Sequence, residues 1–308
     1  MKEENQKKFE IPQFFKEMLE KQYGIEITKN IINGYNGRRP VTFRVNTLKS
    51  DSNTIRNELD KAGIKYEKVF FSEDAFIIKN VNEKVIKSLD IYEKGEIYLQ
   101  SLSSMLPPII LNPQEGLDIL DMAAAPGGKT TQMAALSQNK AHITACEINN
   151  IRAERLKYNV EKQGATCVYI MQKDARQIDD FFSFDQILLD APCSGSGTIS
   201  LNDYNLNKTF TKKLIDKSTA SQIALLRKAI KILKPGKEMV YSTCSILSCE
   251  NEEIIDKVIK QYNVEIVPIE YEWIEKLPLL PTKIKGTLCV CPDECFEGFF
   301  IAKIRKRI

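Results

Sequence analysis

Two cysteines stand where covalent chemistry is feasible. In "LLDAPCSGSGT" (188–198) an apolar run delivers Asp190, Pro192 and Cys193 into a glycine- and serine-rich loop, and in "VYSTCSIL" (240–247) a second apolar run ends at Cys244. A cysteine taken alone is most often a small buried apolar residue. Two at the ends of apolar runs, both in polar loops and one beside an aspartate, suit a reactive pair better. A thiol does not suit methylation of an exocyclic amine, but it does suit attack on a pyrimidine. Carbon 5 of cytosine is too poor a nucleophile to take a methyl group directly, whereas a thiolate added at carbon 6 makes an enamine that carbon 5 can use. A free thiol ionises near pH ~8.5 and needs a nearby positive charge to do so at neutrality. Lys129 is the expected source.

That lysine lies in "APGGKT" (125–130), which looks like the end of a triphosphate-binding loop. A Walker A loop would need glycine at position 123, where the chain has Ala123, and Pro126 removes a backbone donor from the would-be phosphate cradle. The dinucleotide pattern G-x-G-x-x-G is also missing. What remains is an apolar run ending in Asp121, a turn of small residues, "MAAAPGG" (122–128), and a helix. Small residues let the backbone approach a ligand closely. Three later runs end at Glu147, placed to meet ribose hydroxyls, at Asp174, placed to accept from an adenine amino group, and at Asp190. Each acid alone reads as a solvated strand end or helix cap. Four in succession, without phosphate-binding features, suit a nucleoside carrying a cation: S-adenosylmethionine.

The elements that must position these residues follow from periodicity. Strands are predicted at 117–122, 141–147, 166–172, 184–190 and 238–244, with helices at 130–138, 150–164, 218–233 and 250–262. Such alternation implies a parallel sheet with helices on both faces, and ligands at the carboxyl ends of the strands. Upstream lies a smaller α+β pattern: "PVTFRVNTLK" (40–49), a helix at 51–63, β-rich runs at 64–71 and 74–80, and a helix-like stretch at 81–90. Helices are expected within 9–34. The division predicted is a small domain over 1–90 and a large one over 91–308.

Length and composition agree. The 308 residues, 43% apolar and 28% charged, allow two cored domains, and the net charge of +3 neither demands nor excludes a nucleic acid. No apolar run reaches membrane-span length, the start "MKEENQKKFE" is not a signal peptide, and the eight cysteines read as reduced thiols, so a cytoplasmic protein is expected. The charged start and the closing "KIRKRI" read as solvated ends. Cys289, Cys291 and Cys295 in "CVCPDEC" lack a fourth ligand at zinc spacing, and the one histidine, His142, is distant, so no metal is expected. His142 reads as solvent-facing. Arg38, Arg39 and Arg44 with Tyr35 and Phe43 make either an RNA surface or a solvated basic turn.

Beyond these readings, the chain resembles the NOL/Sun (Fmu-type) RNA cytosine-5 methyltransferases from about Arg39 to Lys303. The resemblance rests on "RVNTLK", "YLQSLSSMLPP", "ILDMAAAPGGKTTQMA", "LLDAPCSGSGT", "YSTCS" with "ENEEII", and "EGFFIAKI". It implies a Rossmann-like methyltransferase domain with a mostly parallel sheet behind a small RRM-like domain that binds RNA. Ala123, Ala124, Ala125, Pro126, Gly127, Gly128, Lys129, Glu147, Asp174 and Asp190 would bind S-adenosylmethionine. Cys244 would attack carbon 6 and Cys193 would assist breakdown of the adduct. Asp190 would hold the cytosine edge near ring nitrogen 3, with Lys129 lining the same pocket. DNA cytosine methyltransferases use a Pro-Cys thiol as nucleophile, which makes Cys193 the competing candidate. Ala123 stands where many members have cysteine. The chain ends soon after "GFFIAKI", without the PUA-like extension of some members, so RNA contacts are expected from the small domain and the cleft. The expected substrate is tRNA, with rRNA possible, and the expected state a monomer.

Overall fold

A computed structural model describes residues 10–203 and 205–308. The charged start lies, apart from Glu10, outside the described residues.

Helices α1 (Gln13–Tyr23) and α2 (Ile25–Asn36) meet at Gly24, whose φ of 81° breaks the run between them. Their apolar faces, Phe15, Leu19, Ile31 and Tyr35, are buried in the core of the large sheet rather than in the small one. Helices within 9–34 were expected; their packing partner was not.

The small unit runs β1 (Thr42–Val45), α3 (Ser52–Lys61), β2 (Tyr66–Val69), β3 (Ser72–Ile78), α4 (Glu83–Lys87), α5 (Asp90–Glu93) and β4 (Ile97–Leu99). Asp51 starts α3 by accepting from the Asn53 and Thr54 amides. The four strands pair antiparallel in the order β2-β3-β1-β4, a ferredoxin-like sheet over a core of Phe43, Ile55, Leu59, Phe76 and Ile86. The stretch 81–90 holds the short helix α4, α5 begins at its last residue, and β4 carries the small sheet past residue 90.

The large unit continues α6 (Leu102–Leu111), β5 (Asp118–Asp121), α7 (Gly128–Leu136), β6 (His142–Cys146), α8 (Asn150–Gln163), β7 (Val168–Met171), β8 (Phe184–Asp190), α9 (Leu206–Thr209), α10 (Lys212–Ile232), β9 (Leu233–Thr243), α11 (Glu252–Ile259), β10 (Val264–Val267), β11 (Leu288–Val290) and β12 (Phe299–Lys306). Strand order is β10-β12-β9-β8-β5-β6-β7, parallel from β9 to β7, with β12 antiparallel between β9 and β10. The order reverses between β5 and β8, so their carboxyl ends open onto the crevice where ligands bind in such sheets. All five parallel strands lie where periodicity put them.

Two expectations fail. The closing "KIRKRI" is mostly the end of β12: Lys303 and Arg305 pair with Glu238, and the Lys306 ammonium donates to the Ile230, Lys231 and Leu233 carbonyls. A basic run reads as solvated only when nothing opposes it, and the opposing acids lie far upstream. The basic-aromatic RNA surface also fails in part. Tyr35 and Phe43 are core residues, and Arg44 is 4% exposed. Its guanidinium donates to the Gln100 amide oxygen (2.9 Å), the Gly128 carbonyl (3.0 Å) and the Thr131 hydroxyl (2.7 Å), tying the small sheet to α7.

One backbone contact near the site allows no side chain. The Gly298 amide donates to the Gly197 carbonyl at 2.8 Å, and a Cβ on Gly197 would lie 2.0 Å from the Gly298 oxygen. Overpacking typically costs up to ~3 kcal/mol. Gly197→Ala should therefore lower the melting temperature by several degrees, whereas Gly37→Ala, whose Cβ would find its nearest neighbour at 3.6 Å, should not. A thermal melt of both variants checks this.

Candidate active site

The register of two strands brings the cysteines together. β8 and β9 run parallel with Asp190 opposite Ser242, and the Ala191 amide donates to the Ser242 carbonyl at 2.8 Å. The loops leaving these strands then travel side by side, and the Gly197 amide donates to the Cys244 carbonyl at 2.9 Å. Cys193 Sγ and Cys244 Sγ are 3.0 Å apart, both partly exposed. The Cys244 sulfur, burial and the Glu250 carboxylate push Cys193 well above the ordinary thiol range. Either sulfur can donate to the other across this contact.

Lys129 and Asp190 form the second pair. The ammonium lies 2.7 Å from Asp190 Oδ2 and donates to the Ser104 hydroxyl at 2.7 Å, while Ser242 Oγ donates to Asp190 Oδ1 at 2.8 Å. Burial pulls the lysine down, but Asp190, with Cys244 also contributing, holds it above its ordinary value. Lys129 is thus a permanent cation beside the thiols, committed first to Asp190.

Next to this pair lies a cavity of about 210 Å³. Of the residues expected at the donor, Ala123, Ala124, Ala125, Pro126, Gly128, Lys129 and Asp190 line it, with Asp121 between them and Tyr98, Gln100 and Ser104 opposite. Gly127 turns the chain at φ 104° into α7, and a Cβ on Gly128 would come within 3.1 Å of the Tyr98 ring. Asp121 is 1% exposed; one oxygen accepts from Thr130 (2.7 Å), the other has no hydrogen-bond partner among the described residues, and burial pushes its carboxyl up to about 6. An unpaired buried acceptor is costly and suits a ligand that brings a donor. The alanine and glycine turn and the orphaned carboxylate together fit a cationic nucleoside.

Glu147 and Asp174 stand outside that wall. Glu147 ends β6 buried, accepting from the Asn149 amide at 2.8 Å, with the Arg152 Nε at 3.6 Å. Asp174 caps a short turn and is gripped at both oxygens by Arg176, which holds its carboxyl below the usual range. Adenine contact at Asp174 would compete with Arg176.

Sequence reasoning missed Glu250, a residue with 0% exposure that accepts from the Ser194 amide (2.7 Å), the Ser194 hydroxyl (2.5 Å) and the Ser245 hydroxyl (2.6 Å). Its one signal was its place in "ENEEII", which periodicity assigns to a solvated helix start. Ser104, Ser242 and the Arg44 bridge were missed for the same reason: only long-range packing gives them partners. His142 is exposed, 3.4 Å from Asp118. Burial pushes Cys289 up, and Cys291 to about 11. Among the described residues, no group of three or more His, Cys, Asp or Glu is placed to hold a metal ion, and no helix is long and apolar enough to cross a membrane.

Known proteins are similar to this chain in sequence and fold. Residues 108–305 match the family model "16S rRNA methyltransferase RsmB/F", and residues 11–83 match the ferredoxin-like domain of RsmF/B-like methyltransferases. Ribosomal RNA small subunit methyltransferase F of Shewanella piezotolerans is 35% identical over 281 residues, 86% of this chain but 57% of that protein. The chain thus spans little more than half the length of that relative. The tRNA (cytosine(49)-C(5))-methyltransferase of Pyrococcus abyssi is 33% identical, covering 88% of this chain and 89% of its own. Among solved structures, a methyltransferase homologue from Pyrococcus horikoshii superposes with a TM-score of 0.80 at 32% identity, covering 96% of this chain and 100% of its own. NSun6 from the same organism, solved with SFG, gives 0.85 at 25% identity, covering 96% and 98%. With its methyltransferase domain and its ferredoxin-like domain both matched, the chain belongs to the RsmB/F methyltransferase family.

Proposed function

We propose that this protein transfers a methyl group from S-adenosylmethionine to carbon 5 of a cytosine in RNA, through a covalent adduct between Cys244 and carbon 6. The observation that carries the proposal is the 3.0 Å sulfur pair beside the Lys129–Asp190 ion pair, at the edge of a cavity suited to a cationic nucleoside. Bound in that cavity, S-adenosylmethionine supplies an electrophilic methyl group. Ala123–Gly128 and Asp121 would hold it, with Glu147 toward the ribose.

A cytosine drawn out of its stack enters the cleft. Asp190, steadied by Lys129 and Ser242, holds the ring near nitrogen 3, which takes up a proton from solvent as the Cys244 thiolate adds to carbon 6. Once carbon 5 carries the methyl group it gives its proton to water, the electrons restore the ring double bond, and the carbon–sulfur bond breaks so that Cys244 leaves as a thiolate, with Cys193 as a thiol beside it assisting that breakdown. The small ferredoxin-like unit, taken as 1–90 from the sequence, is the RNA-binding domain, and 91–308 the catalytic one. One chain carries the whole site, so a monomer suffices. Relatives named for tRNA and for small-subunit rRNA are about equally similar, so both RNAs belong in the test.

With S-adenosylmethionine and tRNA or 16S rRNA, Cys244→Ala should lose methylation by about 10³-fold or more, as expected when a covalent nucleophile is removed. Cys193→Ala should accumulate an RNA adduct visible on a denaturing gel. An adduct with Cys244→Ala instead would exchange the two roles. Absence of both label and adduct with both RNAs would leave a binding protein that retains the fold.

The Asp121 carboxyl supplies a second check. Its folded value of about 6 lies above the ordinary carboxylate value, so below that pH it is protonated and has lost its negative charge. If it pairs with the ligand's cation, affinity for S-adenosylmethionine should be constant above pH 6 and fall up to about tenfold per unit below it. Asp121→Asn should bind more weakly and flatten this dependence in calorimetry from pH 5 to 8.

A further inference from the structure

Glu250 joins the two loops that carry the cysteines. Its Oε1 accepts from the Ser194 amide, one residue past Cys193, and its Oε2 accepts from the Ser194 hydroxyl and from the Ser245 hydroxyl, one residue past Cys244. The surrounding contacts reinforce this. Ser245 Oγ also pairs with Ser196 Oγ at 2.8 Å, and Asn251 donates to the Ser245 carbonyl at 2.9 Å while accepting from Thr243 at 2.6 Å. The Tyr241 hydroxyl holds the Glu250 carbonyl at 2.7 Å. Glu250 is 0% exposed, and among the described residues no lysine, arginine or histidine forms an ion pair with it. Hydrogen bonds alone hold this carboxylate. Burying a charge without a counter-cation is expensive, and a serine or asparagine would join the loops at less cost.

We infer that Glu250 is the positioning residue of the cysteine pair: it straps the Cys193 and Cys244 loops together, and its negative charge keeps the Cys193 proton in place so that Cys244 is the nucleophile. The inference deepens the proposed function and rests on it for the chemistry, though not for the geometry. A negative charge beside a thiol disfavours the thiolate, and the same carboxylate is among the causes that push Cys193 upward. The asymmetry between the two sulfurs then has a source in the fold. Glu250 touches both loops, through Ser194 and Ser245, but the Lys129 cation acts on the Cys244 side.

Two substitutions separate strap from charge. In Glu250→Gln the amide oxygen can still accept from the Ser194 amide, and the amide nitrogen can donate to the two serine hydroxyls, which rotate to accept. The strap is kept and the charge is lost. Glu250→Ala removes both. The charge is read as the pH midpoint for iodoacetamide alkylation of Cys193, mapped by peptide mass in a Cys244→Ala background. The strap is read as the rate at which diamide joins Cys193 to Cys244 in the chain with both thiols.

We expect Glu250→Gln to lower the alkylation midpoint, raising the thiolate fraction at pH 8 severalfold, with diamide crosslinking near the parent rate. Glu250→Ala should slow crosslinking about tenfold or more. Ser245→Ala, which keeps the charge and loses one strand of the strap, should leave the midpoint unchanged and slow crosslinking by less. It also keeps the test open should Glu250→Ala fail to fold. An unchanged midpoint in Glu250→Gln overturns the charge role, and parent-rate crosslinking in both Glu250→Ala and Ser245→Ala overturns the strap. Neither readout needs RNA or methyl donor. A chain that never methylates cytosine would therefore still give these shifts, and failure here is distinguishable from failure of the proposed function.

Discussion

The parallel register that sets Asp190 opposite Ser242 governs the whole site. In a parallel pair the hydrogen bonds are evenly spaced and both strands exit at the same edge of the sheet, so residues a fixed count beyond the paired positions emerge together. Three residues past Asp190 and two past Ser242 stand the cysteines, in contact. A slip of one position would turn the apolar run of β8 over and carry both loops with it. Burial of Ile187, Leu188 and Leu189 on one strand and Met239, Val240 and Tyr241 on the other makes that slip prohibitive. The hydrophobic core thus sets the distance between two reactive atoms that take little part in it.

Charge is arranged around that contact in opposite senses. Lys129 brings a positive charge from α7, balanced by Asp190, and Glu250 brings a negative one that pairs with no lysine, arginine or histidine among the described residues. In a weakly polar interior each has more effect on a neighbouring proton than it would in water. α7 is itself anchored from the other side, because Arg44 of the small sheet donates to the Gly128 carbonyl at its first turn. Removal of the small unit would free the helix start that carries Lys129. The ferredoxin-like sheet therefore buttresses the turn and helix start that carry Lys129.

Much of this was legible in the sequence, for identifiable reasons. The five parallel strands are short apolar runs bounded by turns, and their carboxyl ends gave Asp121, Glu147, Asp190 and both cysteine loops without any structure. Residues whose role depends on a distant partner were not legible. Arg44 looks like half of a basic turn until Gln100 and Thr131 surround it, and "KIRKRI" looks like a tail until Glu238 and Glu265 lie opposite. Helix α6 contains Pro107 and Pro108, which argue against a helix interior, yet its burial against the sheet overrides that preference. Glu250 is the clearest case: nothing local distinguishes it from its acidic neighbours, and only the meeting of two loops gives it partners.

The contact between Gly197 and Gly298 has a bearing on the order of assembly. The loop holding Cys193 leans on the turn that leads into β12, the last strand and one wedged between β9 and β10. β12 is synthesised after every residue that lines the cavity and after both cysteines, so the support behind the Cys193 loop is added to parts that have already emerged. The 3.0 Å contact between the two sulfurs is thus backed only once β12 has followed, later than the cavity beside it can form.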